Sequence, residues 1–119
     1  MASAENNFVI KQPQDQMGIL QTLFGIGGPK VDIAQKIKEG ATIIDVRTPE
    51  EFKSGHVKGS INIPLDKVQG QLGKINKTKP VITCCRSGAR SGMAADVLKR
   101  NGFECYNGGA WTTVRAMKG

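Results

Sequence analysis

The chain has 119 residues, of which 39% are hydrophobic and 23% charged, with a formal net charge of +7. That length and mixture describe one globular domain with a modest core and exclude a disordered chain. No apolar run approaches the roughly 18 residues of a membrane span, and the scattered cations, with one Tyr and one Trp to stack on bases, make nucleic acid an unexpected partner.

Residues 1–16 are polar, rich in Gln and Asn and without a sustained period. They are expected to be a flexible tail or an expression remnant, with Met17 a candidate natural start. Met17 to Phe24 has the pattern of a short amphipathic helix ended by Gly25, so residues 1–24 are read as tail plus short helix and 25–119 as the domain. Asp32 to Gln35 reads as a capping box opening a helix that stops at Gly40. Ala41 to Val46 is a β-branched run, expected as a buried strand. Pro49-Glu50-Glu51-Phe52 has the Pro and acids of a first helical turn. A turn-rich link through His56 leads to the short strand Ile61–Ile63, and a weak helix runs from Pro64 through Leu72. The strand Pro80–Cys84 is followed by a Gly-bearing loop and by a helix over 91–100. Phe103–Tyr106 is the last expected strand, and Gly108-Gly109 is expected to turn the chain into a closing helix from Ala110 to Met117. Strands alternating with helices through short links predict an α/β domain: a small, largely parallel sheet with helices on both faces.

The chemistry concentrates in Cys84-Cys85-Arg86-Ser87-Gly88-Ala89-Arg90-Ser91. A cysteine between a strand end and a helix start faces loop amides and the positive end of a helix, which lower a thiol's pKa and favour the nucleophilic thiolate. Cys85 is therefore the candidate nucleophile. Arg86 and Arg90 flank it and would draw in an anionic substrate. Cys84, one residue earlier on a strand, should point the opposite way into the core. Three cysteines, two of them adjacent, suggest no disulfide framework, and the absence of a C-x₂₋₄-C pair argues against a zinc site. No metal and no cofactor are expected. The free thiols predict a reduced, cytoplasmic protein, or a periplasmic one if a signal peptide has been removed.

Over residues 31–119 the sequence resembles the rhodanese (sulfurtransferase) family. The resemblance rests on three ordered motifs: Asp45 to Phe52 followed by Gly55 to Pro64, then Cys85 to Ser91, then Gly102-Phe103 with Gly108-Gly109-Ala110-Trp111. The related cell-cycle phosphatases use Cys-x₅-Arg, a loop wide enough for phosphate; here the second arginine falls at Cys-x₄-Arg and Ser91 occupies the phosphatase position. The shorter ring of amides suits a single sulfur atom.

The resemblance implies ping-pong transfer. Cys85 would take the outer sulfur of thiosulfate or a similar small anionic donor and hold it as a persulfide. It would then pass the sulfur to cyanide or to a thiol such as glutathione or thioredoxin. The amides of Arg86, Ser87, Gly88, Ala89 and Arg90 would cradle the charge, with the two arginines orienting the donor. Asp45 and Arg47 are expected in support, Asp45 fixing loop amides and Arg47 pairing with Glu50 or Glu51. His56 is expected in a structural hydrogen bond and Trp111 as a lid over the core. A monomer is expected. The alternative from a different class is a sulfur-relay or interaction module with a dedicated protein partner.

Overall fold

The computed structural model describes residues 31–119. The expected tail and the helical pattern at Met17 to Phe24 lie outside them. The elements are α1 (Ile33–Lys38), β1 (Thr42–Asp45), α2 (Pro49–Lys53), β2 (Ile61–Asn62), two 3₁₀ segments (Leu65–Lys67 and Gln69–Lys74), β3 (Val81–Cys85), α3 (Ala89–Arg100), β4 (Cys105–Ala110) and α4 (Trp111–Lys118). The four strands form one sheet in the order β2-β1-β3-β4, every pairing parallel. The expected α/β architecture is the one observed.

Side-chain alternation along the strands builds a core on each face. Ile44, Val81 and Cys85 face α3 and the 3₁₀ segments, meeting Ala94, Leu98, Val68 and Ile75. Ile43, Ile82 and Cys84 face the other way, against Ile37 of α1 and Val114 of α4. The adjacent cysteines therefore lie on opposite faces of the sheet, as the strand period requires. Ile44 and Ile82 have no solvent exposure, and burial of this kind stabilises the fold by about 1.5–3 kcal/mol per side chain.

Several local expectations are corrected. Asp32 caps α1 by accepting from the Gln35 amide at 3.1 Å, but the Gln35 side chain turns to Glu39, so the box is only half formed. The full capping box is at α2: Thr48 Oγ1 accepts from the Glu51 amide at 3.2 Å and Glu51 accepts from the Thr48 amide at 3.0 Å. The weak helix expected through Leu72 is two 3₁₀ segments. Gly108 and Gly109 lie within β4, which runs on to Ala110 directly before α4; the expected turn is reduced to an irregularity in the β3–β4 register, where Gly109 has φ 83°. A Cβ at Gly108 would stand 2.7 Å from methyls of both Ile82 and Val114 and 2.9 Å from the Thr83 carbonyl oxygen. Its small size reflects close packing of a strand between β3 and α4, which in one dimension is indistinguishable from a turn signal.

From β1 the chain moves outward to β2, and from β3 it moves outward in the other direction to β4. The carboxyl ends of β1 and β3 thus flank the point where the winding reverses, the usual place for a site in an open parallel sheet.

Candidate active site at the carboxyl ends of β1 and β3

Cys85 is the last residue of β3, and Gly88 begins the turn into α3 with φ 106°, a left-handed conformation that suits glycine. That turn folds the loop back over the sulfur. The Gly88 amide donates to Cys85 Sγ at 3.0 Å and the Ser91 amide at 3.4 Å, while Ser91 Oγ lies 3.4 Å from the same sulfur. Burial pushes the Cys85 thiol up; hydrogen bonds from the Ser91 hydroxyl and from the amides of Ser91, Gly88 and Ser87 outweigh it and bring the thiol below its ordinary value. Cys84, with burial and no such donors, is pushed up to about 12. One position along the strand separates a thiol prepared to ionise from one held neutral.

Cys85 has no solvent exposure, because its own loop covers it. Beside that loop lies a cavity of about 270 Å³ lined by Arg47, Glu51, Ser54, Arg86 and Trp111. On the other side a more apolar groove of about 420 Å³ is lined by Val46, Thr48, Pro64, Leu65, Asp66 and Arg90. Of the two expected substrate arginines, Arg86 is exposed and lines the first cavity. Arg90 is held by Glu51 through two contacts of 2.8 and 3.1 Å.

Asp45 and Arg47 are both buried and pair with each other, Arg47 Nη2 to Asp45 Oδ2 at 2.7 Å and Nε to Oδ1 at 2.9 Å. The expected pairing of Arg47 with Glu50 or Glu51 is therefore corrected. A desolvated guanidinium needs a carboxylate equally out of water, whereas Glu51 is at the surface with Arg90. Asp45 also accepts the Arg47 amide at 3.1 Å, and Arg47 Nη2 reaches the Gly55 carbonyl at 2.6 Å. The pair braces the end of β1 beneath the cavity. Trp111 closes its side, with the guanidinium carbons of Arg47 and Arg115 each 4.8 Å from its ring centroid. His56 is stacked on Phe52 at 3.8 Å and bonds the Phe52 carbonyl through Nδ1 at 2.8 Å.

Two residues around the sulfur carry no local signal for a role there: Ser91 reads as the end of the cysteine loop motif, at the position of the phosphatase arginine, and nothing marks Asn107, which meets the sulfur only through Ser91. Asn107 reaches the loop from β4, where no spacing in the chain links it to Cys85.

A family model described as a rhodanese-like domain matches residues 30–118. The chain belongs to the rhodanese-like domain family. Among the relatives of this rhodanese-like chain, the uncharacterized protein YqhL of Bacillus subtilis is 46% identical over 68 residues, covering 56% of this chain and 54% of its own. The thiosulfate sulfurtransferase PspE of Escherichia coli is 39% identical over 62 residues, covering 50% of this chain and 60% of its own. The chain thus spans only about half the length of these curated relatives. In three dimensions it is similar to a rhodanese-like domain protein from Staphylococcus aureus, with a TM-score of 0.61 and 28% identity over 70% of this chain and 83% of the other.

Proposed function

We propose that this rhodanese-like chain is a thiosulfate sulfurtransferase that carries sulfane sulfur as a persulfide on Cys85. The observation that carries this reading is the convergence of the Gly88 and Ser91 amides on Cys85 Sγ, at 3.0 and 3.4 Å, with the Ser91 hydroxyl 3.4 Å away and able to turn its proton to a thiolate. Such a ring stabilises a thiolate and needs no separate base. The relationship to PspE, a thiosulfate sulfurtransferase, supports the choice of donor.

In the first half-reaction the Cys85 thiolate attacks the outer sulfur of thiosulfate. The S–S bond of thiosulfate breaks, its electron pair leaves with sulfite, and Cys85 holds a persulfide with the charge on the outer sulfur. In the second, cyanide or a thiolate attacks that outer sulfur and the Cys85 thiolate is regenerated. Because the resting sulfur is covered, loading requires the Ser87–Gly88–Ala89 arc to part. Exposed Arg86, on the neighbouring cavity, attracts the sulfonate end of the donor.

Intact mass after incubation with thiosulfate tests the reading. The expected result is a gain of one sulfur atom that cyanide removes and Cys85→Ser abolishes. No gain in the wild type, or a gain that survives Cys85→Ser, would overturn it. Comparing cyanide with a protein thiol as acceptor then distinguishes a general sulfurtransferase from a dedicated relay.

A further inference from the structure

The hydroxyl of Ser91 has one proton and two neighbours that want it. Ser91 is fully buried, its Oγ lies 3.4 Å from Cys85 Sγ, and it also lies 2.7 Å from Asn107 Oδ1. The orientation of the Asn107 amide is set by two further bonds: Nδ2 donates to the Gly88 carbonyl at 3.0 Å and Oδ1 accepts from the Gly109 amide at 2.9 Å. Turning the amide over would place a donor against a donor and an acceptor against an acceptor. Oδ1 therefore faces Ser91, and an amide oxygen only accepts. Space is reserved for this side chain, since a Cβ at Gly92 would come within 3.2 Å of Asn107 Nδ2.

With its proton on Asn107, Ser91 presents a lone pair to Sγ. That arrangement suits the neutral thiol, which donates its own proton to Ser91 Oγ. A thiolate needs the reverse, so the hydroxyl must rotate toward Sγ and give up its bond to Asn107. Once a persulfide forms, the charge moves to the outer sulfur and the hydroxyl can return to Asn107.

We propose that Asn107 is a positioning residue that competes with Cys85 for the Ser91 proton and thereby sets how readily Cys85 ionises. The proposal rests on reading Cys85 as the sulfur-carrying nucleophile. Asn107 restrains ionisation of Cys85: it keeps the hydroxyl engaged in the thiol form and releases it at the cost of one hydrogen bond. A group at position 107 that cannot accept leaves the hydroxyl free for the thiolate.

The test is the rate of alkylation of Cys85 by iodoacetamide against pH, read by mass spectrometry of the Cys85 peptide, for the wild type, Asn107→Leu, Ser91→Ala and the double variant. Asn107→Leu is expected to lower the midpoint by about half to one pH unit, a roughly three- to tenfold change in ionisation constant. Ser91→Ala should raise the midpoint, and adding Asn107→Leu to it should cause no further shift. If leucine is not accommodated, Asn107→Ala should move the midpoint the same way by less, since a water there can accept from Ser91 or donate to it. A merely structural Asn107 predicts the opposite sign, because a loosened loop withdraws amides from the sulfur. An unchanged or raised midpoint in the Asn107 variants, no rise in Ser91→Ala, or an equal fall without the Ser91 hydroxyl would each overturn the proposal. Failure of the sulfurtransferase reading is separate: it appears as no persulfide mass in the wild type, with the midpoints still measurable.

Discussion

Glu51 grips Arg90 with both carboxylate oxygens, at 2.8 and 3.1 Å, while the same carboxylate accepts the Thr48 amide at 3.0 Å. One side chain thus closes the capping box of α2 and ties that helix to the first turn of α3, next to the cysteine loop. Arg90, with the Thr48 amide, holds the Glu51 carboxyl down at about 2, against an ordinary value of 4.5. A depressed carboxyl contributes stability that is fully present above its unfolded value and is lost as pH falls toward the folded one. In Glu51→Gln, stability at neutral pH should fall by about 1 kcal/mol, the size of a lost cap and surface ion pair. The variant should also lose less than the wild type on acidification from pH 4.5 to about 2. Urea melts across that range check both, and parallel curves would refute the assignment.

The buried pair of Asp45 and Arg47 gives a larger expectation. Removing the carboxylate in Asp45→Ala strands a guanidinium that is only 3% exposed. The expected cost is about 3–5 kcal/mol, read from denaturant unfolding. A loss below about 1 kcal/mol would mean that Arg47 finds water or another acid instead.

Adjacent Cys84 and Cys85 should behave as different chemical species. Cys84, pushed up to about 12, stays neutral and shielded in the folded protein at neutral pH. Alkylation at neutral pH should therefore modify Cys85 and spare Cys84 until the protein is unfolded. Cys84→Ala should still gain sulfur from thiosulfate, with a stability cost of about 1–2 kcal/mol for the emptied volume. Loss of sulfur loading in a folded Cys84→Ala would contradict this division.

Gly108 and Gly73 make a controlled pair. An alanine methyl at Gly108 meets two side-chain methyls at 2.7 Å and a main-chain oxygen at 2.9 Å, whereas one at Gly73 meets nothing within 4 Å. Gly108→Ala should destabilise by about 1–3 kcal/mol or more, because backbone cannot move aside as a flexible side chain can. Gly73→Ala should lie within about 0.5 kcal/mol of the wild type. Equal melting temperatures for the two would show that β4 has more room than the packing allows.

Arg86 should affect the donor and not the fold. It is exposed on the cavity beside the loop. Arg86→Ala is expected to raise KM for thiosulfate about tenfold at low salt, with the gap to wild type narrowing as ionic strength screens the attraction. The melting temperature should not move. A salt-independent defect would assign Arg86 a different role.

Much of this protein is legible in its sequence. The β-branched runs, the Pro-led acidic turn at Pro49 and the step from strand to Gly-bearing loop at Cys85 are local patterns, governed by neighbouring residues and side-chain period. They were enough for an α/β domain with a parallel sheet, for the opposite facing of Cys84 and Cys85, and for a candidate nucleophile. Which groups meet across the fold was another matter. Arg47 has Glu50, Glu51 and Asp45 within a few residues of it, and only burial selects Asp45. Glu51 reaches Arg90 across 39 positions of chain, and Asn107 reaches Ser91 across 16. Gly108 looked like a turn because what constrains it is Ile82 and Val114, which stand beside it only when the sheet and α4 have closed. Sequence records the preferences of each short segment; partner choice depends on distance and dielectric, and these exist only once the chain has folded.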